Sequence, residues 1–381
     1  MTTIQRFVSS IASLFCLALL AMAADEAKTT ITATPSVFYP HECSSTLSAI
    51  SPDGKYVVYA PFRKDPAPHE IRVCDSTTKK VIHTFHGGML GAAFTPDSSR
   101  LICHCVHRSP NGSWAAPQID VHDVKTWKRL REIPLKAGQP GGGGDGHGCP
   151  PLFALNNDVV VLSGKNKVAT VYDLRTGKVL GDLPGKHRAV SLALSRDGRW
   201  LLTVDNKNVL HTWDVKARKH DRMLYEHISY VESIAISHDG RWCAFGTSRG
   251  IKVFDRTTGG EKAEGRTDLV RPSAMQFTSD GKRIIAAVGT RMLMPDQLDW
   301  GLRFWDWQTE DPPTSVISPI TPEDTKTWRG KGIFHPWMMT SDGNRFFSVR
   351  GGQGRMLLDL KNPNPPPEKK PEPKKDPPKK P

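Results

Sequence analysis

Five times along the chain an apolar run gives way to Ser or Thr, one variable residue, and Asp-Gly. The copies are Ser51-Pro52-Asp53-Gly54, Ser195-Arg196-Asp197-Gly198, Ser237-His238-Asp239-Gly240, Thr278-Ser279-Asp280-Gly281 and Thr340-Ser341-Asp342-Gly343. A sixth, Thr95-Pro96-Asp97-Ser98, lacks the Gly, and Asn156-Asn157-Asp158 stands where a seventh falls. Asp-Gly between apolar runs is a hairpin turn, because Gly accepts the positive φ that such a turn requires. Each turn is followed by an alternating segment that ends in Asp, at Asp75, Asp123, Asp173, Asp214, Asp255, Asp306 and Asp359. A polar turn comes next, as in Arg175-Thr176-Gly177-Lys178, and then a short outer strand such as Val179-Leu180-Gly181-Asp182-Leu183. Each unit therefore holds four strands. The terminal Asp residues recur every 41 to 53 residues with no helical period between them, which is the pattern of propeller blades around a channel.

Over residues 45 to 360 these seven units resemble the WD-repeat family, in the form of a secreted bacterial-type protein with degenerate repeats. Trp213-Asp214 and Trp305-Asp306 spell the family's dipeptide, and its Gly-His element survives loosely at Lys186-His187 and Glu226-His227. The Asp that the family places six residues before the Trp is replaced by Asn166, Lys207 and Ser248 in units three to five. The resemblance implies an all-β fold: a seven-bladed β-propeller of four-stranded blades, with the ring closed by an N-terminal strand. Unit seven runs out after three strands, at Leu360, and a bare sheet edge needs a partner. The segment Thr30 to Tyr39 is the candidate, with Pro35 expected to interrupt its pairing.

Both ends of the chain read differently from this body. Arg6 precedes the apolar stretch Phe7 to Met22, and Ala21-Met22-Ala23 is a small-x-small cleavage pattern. Residues 1–23 are thus expected to be a signal peptide, which makes the protein exported, periplasmic or extracellular, with no integral membrane segment after removal. Residues 24–361 form the propeller, of which 24–44 are the closing strand and lead-in. Residues 362–381 are Pro/Lys-rich and lack anything to bury, so they are expected to be a disordered tail. The formal net charge is +13; the leader contributes +1 and the tail +3, and the body stays basic. Basic charge favours anions of any kind, and export removes nucleic acid from the expected partners.

Long insertions all fall on the connections between strands b and c or from one unit to the next: Pro61 to His69, His107 to Gln118, Gln139 to Gly148, Gly289 to Gly301 and Gln308 to Gly332. Loops of this length carry function or are disordered. Trp114 near Arg108, Trp300 near Arg291 and Trp328 beside Arg329, together with Arg63, are the candidate partner-binding residues, since Trp and Arg anchor interfaces most often. The opposite face carries tight turns rich in Lys and Arg.

Catalytic machinery is sparse. The innermost strands carry no carboxylate except Glu232, and paired acids, a metal cage or a nucleophile with its base need more. Asp173-Leu174-Arg175-Thr176-Gly177-Lys178 resembles the repeat of quinone-dependent dehydrogenase propellers, but Gly181 stands where a docking Trp belongs, so no cofactor is expected. Cys74 and Cys243 are expected as buried free thiols. Strand alternation puts Cys103 and Cys105 on one side of unit two, where a bridge from Cys105 to Cys149 or a soft-metal site is conceivable; the spacing matches no zinc pattern, so no metal is assigned.

The expected function is a non-enzymatic, monomeric scaffold binding a protein or peptide on the loop-rich face. Two other readings use the same residues differently: a small-ligand-binding or enzymatic propeller acting at the channel mouth, and adhesion to an anionic envelope polymer through the basic face and tail.

Overall fold

The repeated turn owes its shape to a closed set of hydrogen bonds. The Ser51 hydroxyl donates to Asp53 Oδ1 (2.6 Å) and accepts the N–H of Tyr56 (2.9 Å), while Asp53 Oδ1 accepts the N–H of Lys55 (3.1 Å). Ser195 with Asp197 and Ser237 with Asp239 repeat this arrangement, and Thr95 with Asp97 and Thr278 with Asp280 repeat it with Thr. Gly54, Gly198, Gly240 and Gly281 hold φ between +70° and +73°, a region that costs any side chain. The turn at Asn156 reaches the same end differently, its Oδ1 accepting the N–H groups of Asp158 and Val159.

The computed structural model describes residues 33–39, 43–61, 70–106, 117–135, 153–164, 167–226, 230–266, 271–289, 300–309, 314–317, 338–339, 345–348 and 355–360. Among them there is no helix, and the strands form seven four-stranded antiparallel sheets. Sheet 1 is Cys43–Ile50, Tyr56–Pro61, Glu70–Asp75 and Val81–His86; sheet 2 is Gly88–Phe94, Arg100–Val106, Gln118–Asp123 and Arg129–Pro134. Sheet 3 is Phe153–Leu155, Val159–Ser163, Ala169–Asp173 and Val179–Leu183; sheet 4 is Ala189–Leu194, Trp200–Asp205, Val209–Asp214 and Lys219–Glu226. Sheet 5 is Ser233–Ile236, Trp242–Thr247, Gly250–Asp255 and Glu261–Arg266; sheet 6 is Arg271–Phe277, Arg283–Gly289, Trp300–Asp306 and Thr314–Ile317. Within each sheet the strands are lettered a to d in that order. Sheet 7 has Met338–Met339, Arg345–Ser348 and Arg355–Leu360 as a to c, and its d strand comes from the other end of the chain, Ala33–Tyr39.

That last pairing runs from Ala33 opposite Leu360 to Tyr39 opposite Arg355. Pro35 sits opposite Leu358 within the regular register, and the irregularity falls between Val37 and Tyr39 instead. The expected interruption at Pro35 is therefore corrected. An outermost strand has one unpaired flank, and a proline is tolerated there. A second correction concerns Gln308 to Gly332, expected as one insertion: Thr314–Ile317 pairs with Gly301–Phe304 as the d strand of sheet 6, which divides it in two.

Single sheets cannot bury both faces, and sheets 1 to 6 share their cores pairwise in order. Val73 and Ile71 of sheet 1 pack with Leu101 and Cys103 of sheet 2, and Ile102 and Val121 of sheet 2 pack with Leu162 and Tyr172 of sheet 3. Val171 and Leu183 join Leu201 and Trp213 of sheet 4, Leu202 and Leu210 join Phe245 and Phe254 of sheet 5, and Ala244 and Val253 join Phe277 and Trp305 of sheet 6. The a strands of sheets 1 and 2, 3 and 4, 4 and 5, 5 and 6, and 7 and 1 approach one another, while the d strands form the opposite edge of each sheet. Sheet-on-sheet stacking with a strands innermost is a β-propeller-like arrangement.

Candidate functional site

Strand direction sorts the connections onto two sides. Those joining a to b and c to d are three to seven residues long, whereas 62–69, 107–117, 135–152, 290–299 and 318–337, the longer ones, join b to c or one sheet to the next. Arg63, Arg108, Trp114, Arg291, Trp328 and Arg329 lie in them, outside the described residues. Trp300 lies at their border: its backbone opens strand c of sheet 6 opposite Gly289.

The short-turn side is largely self-satisfied. Asp75 Oδ1 accepts the N–H groups of Thr78 (2.6 Å) and Thr77 (2.9 Å), and Asp123 Oδ1 accepts the hydroxyl and N–H of Thr126. The Thr78 N–H, foremost, holds the Asp75 carboxyl below its ordinary range, and the Thr126 hydroxyl does the same for Asp123. Several cations of these turns are paired. Arg199 pairs with Asp214 (3.3 Å), Arg241 with Asp255 (3.3 Å) and Arg256 with Asp221 (2.9 Å), and Arg218 donates to the carbonyl of Leu180. Lys79, Lys80, Lys125, Lys128, Arg175 and Lys178 remain exposed. The Asp173 to Lys178 segment is an ordinary turn, with Thr176 N–H on Asp173 and Gly177 at φ +74°.

One crevice opens between sheets 1 and 2, with a volume of about 180 Å³. Strand b of sheet 2 sends Cys103 and Cys105 toward sheet 1, as alternation predicts, and both are buried free thiols, as are Cys74 and Cys243. Burial, with Asp120 second, pushes both crevice thiols up, which keeps them protonated and poor nucleophiles. The side chain of Cys43, like Cys149 as a whole, lies outside the description.

Asp120 forms the crevice floor at 3% exposure. Its Oδ1 accepts Gln118 Nε2 (2.7 Å), and its Oδ2 accepts Cys105 Sγ (3.3 Å) and lies 3.5 Å from Arg129 Nη1. Aromatic rings line the mouth: Phe85 lies 4.1 Å from His122, and Trp127 meets Tyr56 edge-on at 5.1 Å and stacks at 6.2 Å with His83. Sequence reasoning missed Asp120, His122 and Trp127. Gln118, Asp120 and His122 alternate with Ile119 and Val121 on an interior strand covered on both faces, and that alternation is a readable signal of a polar-lined crevice. Among the described residues no group of three or more His, Cys, Asp or Glu is placed to hold a metal ion.

His104 lies between the two thiols on the strand's other face. It is 1% exposed, and neither ring nitrogen has a hydrogen-bond partner among the described residues. Burial brings its pKa down to about 4. The folded state thus binds fewer protons than the unfolded one between that value and the ordinary 6.5. Its contribution is complete above pH 6.5 and is lost as pH falls toward 4. We expect a loss of roughly 2 kcal/mol from this residue between pH 7 and 4.5. Urea unfolding midpoints at both pH values should show His104→Leu flattening this dependence; an equally steep fall in the variant would locate the effect elsewhere.

No family model matches the chain. It is similar to autophagy-related protein 16 of Arabidopsis thaliana, at 22% identity over 166 residues, which cover 42% of this chain and 31% of that protein. The chain thus spans about a third of the length of the curated relative it matches.

Proposed function

We propose that the seven sheets are the blades of a closed ring and that the protein is an exported, non-enzymatic scaffold binding a protein or peptide across its long-connection side. One observation carries this reading: every connection longer than seven residues emerges from the same side of the sheets, while the other side is closed by short, self-bonded turns. A rigid set of sheets displaying long loops at one end suits recognition, because the scaffold fixes where the loops start and finish. The similarity to autophagy-related protein 16 supports the scaffold reading as an analogy of fold. Trp114, Trp300 and Trp328, with Arg63, Arg108, Arg291 and Arg329, are the proposed anchors.

Crosslinking tests it. Single cysteines placed in 107–117 and in 290–299, on a background whose Cys74, Cys103, Cys105 and Cys243 are buried, should capture the same protein from both loops. A cysteine at Thr257, in a short turn, should capture none. Diffuse, salt-labile capture from all three positions would overturn the reading.

A further inference from the structure

Outer strands expose one flank of unpaired N–H and C=O groups, and most of the d strands here are protected by charge. Those of sheets 2, 4 and 5 carry Arg129, Arg131 and Glu132, then Lys219, Asp221 and Arg222, then Glu261, Lys262 and Glu264. That of sheet 3 carries Asp182 and is tied by Arg218, which donates to the carbonyl of Leu180. Charges on an edge are the usual defence against a further strand.

The d strand of sheet 1, Val81–His86, has no such defence. It reads Val-Ile-His-Thr-Phe-His, with no acid, Lys, Arg, Pro or Gly. Val81 and Ile82 are 46% and 42% exposed. From His83 to His86 its register is regular, His83 opposite Val73 and His86 opposite Glu70, with the irregularity confined to the Val81 end. His83 and Phe85 turn toward sheet 2, where they meet Trp127 and His122 at the mouth of the crevice. Side chains of a strand added beside them on that face would stand directly over the opening.

We propose that Val81–His86 is a strand-addition site, taking an extended segment of a protein partner as a fifth strand of sheet 1, with one apolar side chain of that segment seated in the crevice. Main-chain hydrogen bonds supply the affinity of such a site and side-chain pockets its selectivity. About 180 Å³ is below the roughly 300–1,000 Å³ of sites for drug-sized ligands and suits a single side chain. Asp120 on the floor already has Gln118, Cys105 and Arg129 as partners, so the pocket makes no demand for a charged guest. Ile71, Phe85, Cys103 and Trp127 give the crevice an apolar side, facing the polar side made by His86, Asp120, His122 and Arg129, and it is on the apolar side that the guest would lie. Lys79 and Lys80, exposed at the start of the strand, complement acidic residues at the C-terminal end of a segment paired antiparallel. This site lies on the outer rim, away from the loops of the proposed scaffold face, so it stands or falls separately.

The probe is a fluorescein-labelled synthetic octapeptide, Thr-Val-Thr-Leu-Thr-Val-Glu-Glu, titrated into the full chain by anisotropy and followed by amide hydrogen exchange. Saturable binding is expected, with slowed exchange in 81–86. Thr84→Lys should weaken it at least tenfold, and Val179→Lys, the same change on the outer strand of sheet 3, should leave it within twofold. Ile82→Lys serves in the same way if Thr84→Lys fails to fold. Absence of binding, equal loss in both lysine variants, or protection confined to segments other than 81–86 would overturn the proposal. So would concentration-dependent dimerisation that shields 81–86 without peptide, since a second copy would then be the occupant.

Discussion

A chain lacking residues 33–39 should self-associate more than the full chain and lose its cooperative melt. The Arg355–Leu360 strand pairs with Arg345–Ser348 on one flank and with Ala33–Tyr39 on the other. Removing the latter strips about five residues of ladder hydrogen bonds, each of net value about 0.5–1.5 kcal/mol, so the loss is on the order of 5 kcal/mol before any packing is counted. That is comparable to the whole stability margin of many domains, roughly 5–15 kcal/mol. It also leaves Arg-Met-Leu-Leu-Asp-Leu as a bare apolar edge, which invites pairing between chains. Size exclusion should show soluble oligomer or precipitate in place of monomer. A synthetic peptide of residues 30–41 added during refolding should restore part of the monomer peak. A monomeric deletion variant with an unchanged melting midpoint would mean that the 33–39 strand contributes little to sheet 7.

Much of this architecture is legible in the chain because its signals are local. The Ser/Thr-x-Asp-Gly turn is a contact set spanning six residues, so its chemistry is written in one short window, and Asn156 substitutes for Ser in a way turn propensities anticipate. The Asp ending the c strand in sheets 1 to 5 bonds within three residues, as Asp75 does with Thr77 and Thr78. The strand Thr314–Ile317 was not legible for the opposite reason. Four residues between Pro313 and the pair Ser318-Pro319 carry too little alternation to stand out, and it is pairing with Gly301–Phe304 that makes them a strand. The pairing of Arg199, Arg241 and Arg256 was not legible because their carboxylate partners lie 14 to 35 residues away. The crevice was half legible. Alternation placed Cys103 and Cys105 together, but Phe85 and Trp127 arrive from other strands and turns, and no local pattern records that meeting.

Arg256 shows what such distant pairings contribute. The residue follows the terminal Asp of sheet 5, at 9% exposure, and reaches across to sheet 4. Its Nε donates to the carbonyl of Gly240 (2.8 Å), its Nη1 pairs with Asp221 (2.9 Å), and its Cζ lies 3.3 Å above the centre of the Trp200 ring. Three different interactions thus hold one guanidinium at the seam between two sheets. Arg256→Ala would leave the Asp221 carboxylate with only the Thr212 hydroxyl (2.9 Å) and the more distant Arg222 (3.9 Å) and Trp200 without its cover, and we expect it to cost roughly 2–3 kcal/mol, below the range for breaking a fully buried pair, with a cation–π contribution of up to about 2 kcal/mol. Arg256→Lys should recover less than half, because an ammonium cannot bond Gly240 and Asp221 while lying flat on an indole. Arg256→Met separates packing from charge: if the seam is mainly a packing contact, Met will approach the parent protein in urea midpoint, and if the charge matters it will track Ala. The carboxylate Asp221, at 20% side-chain exposure, predicts the second outcome. The double variant Arg256→Ala with Asp221→Asn should then recover part of the loss, since the carboxylate that has lost its nearest cation is neutralised too.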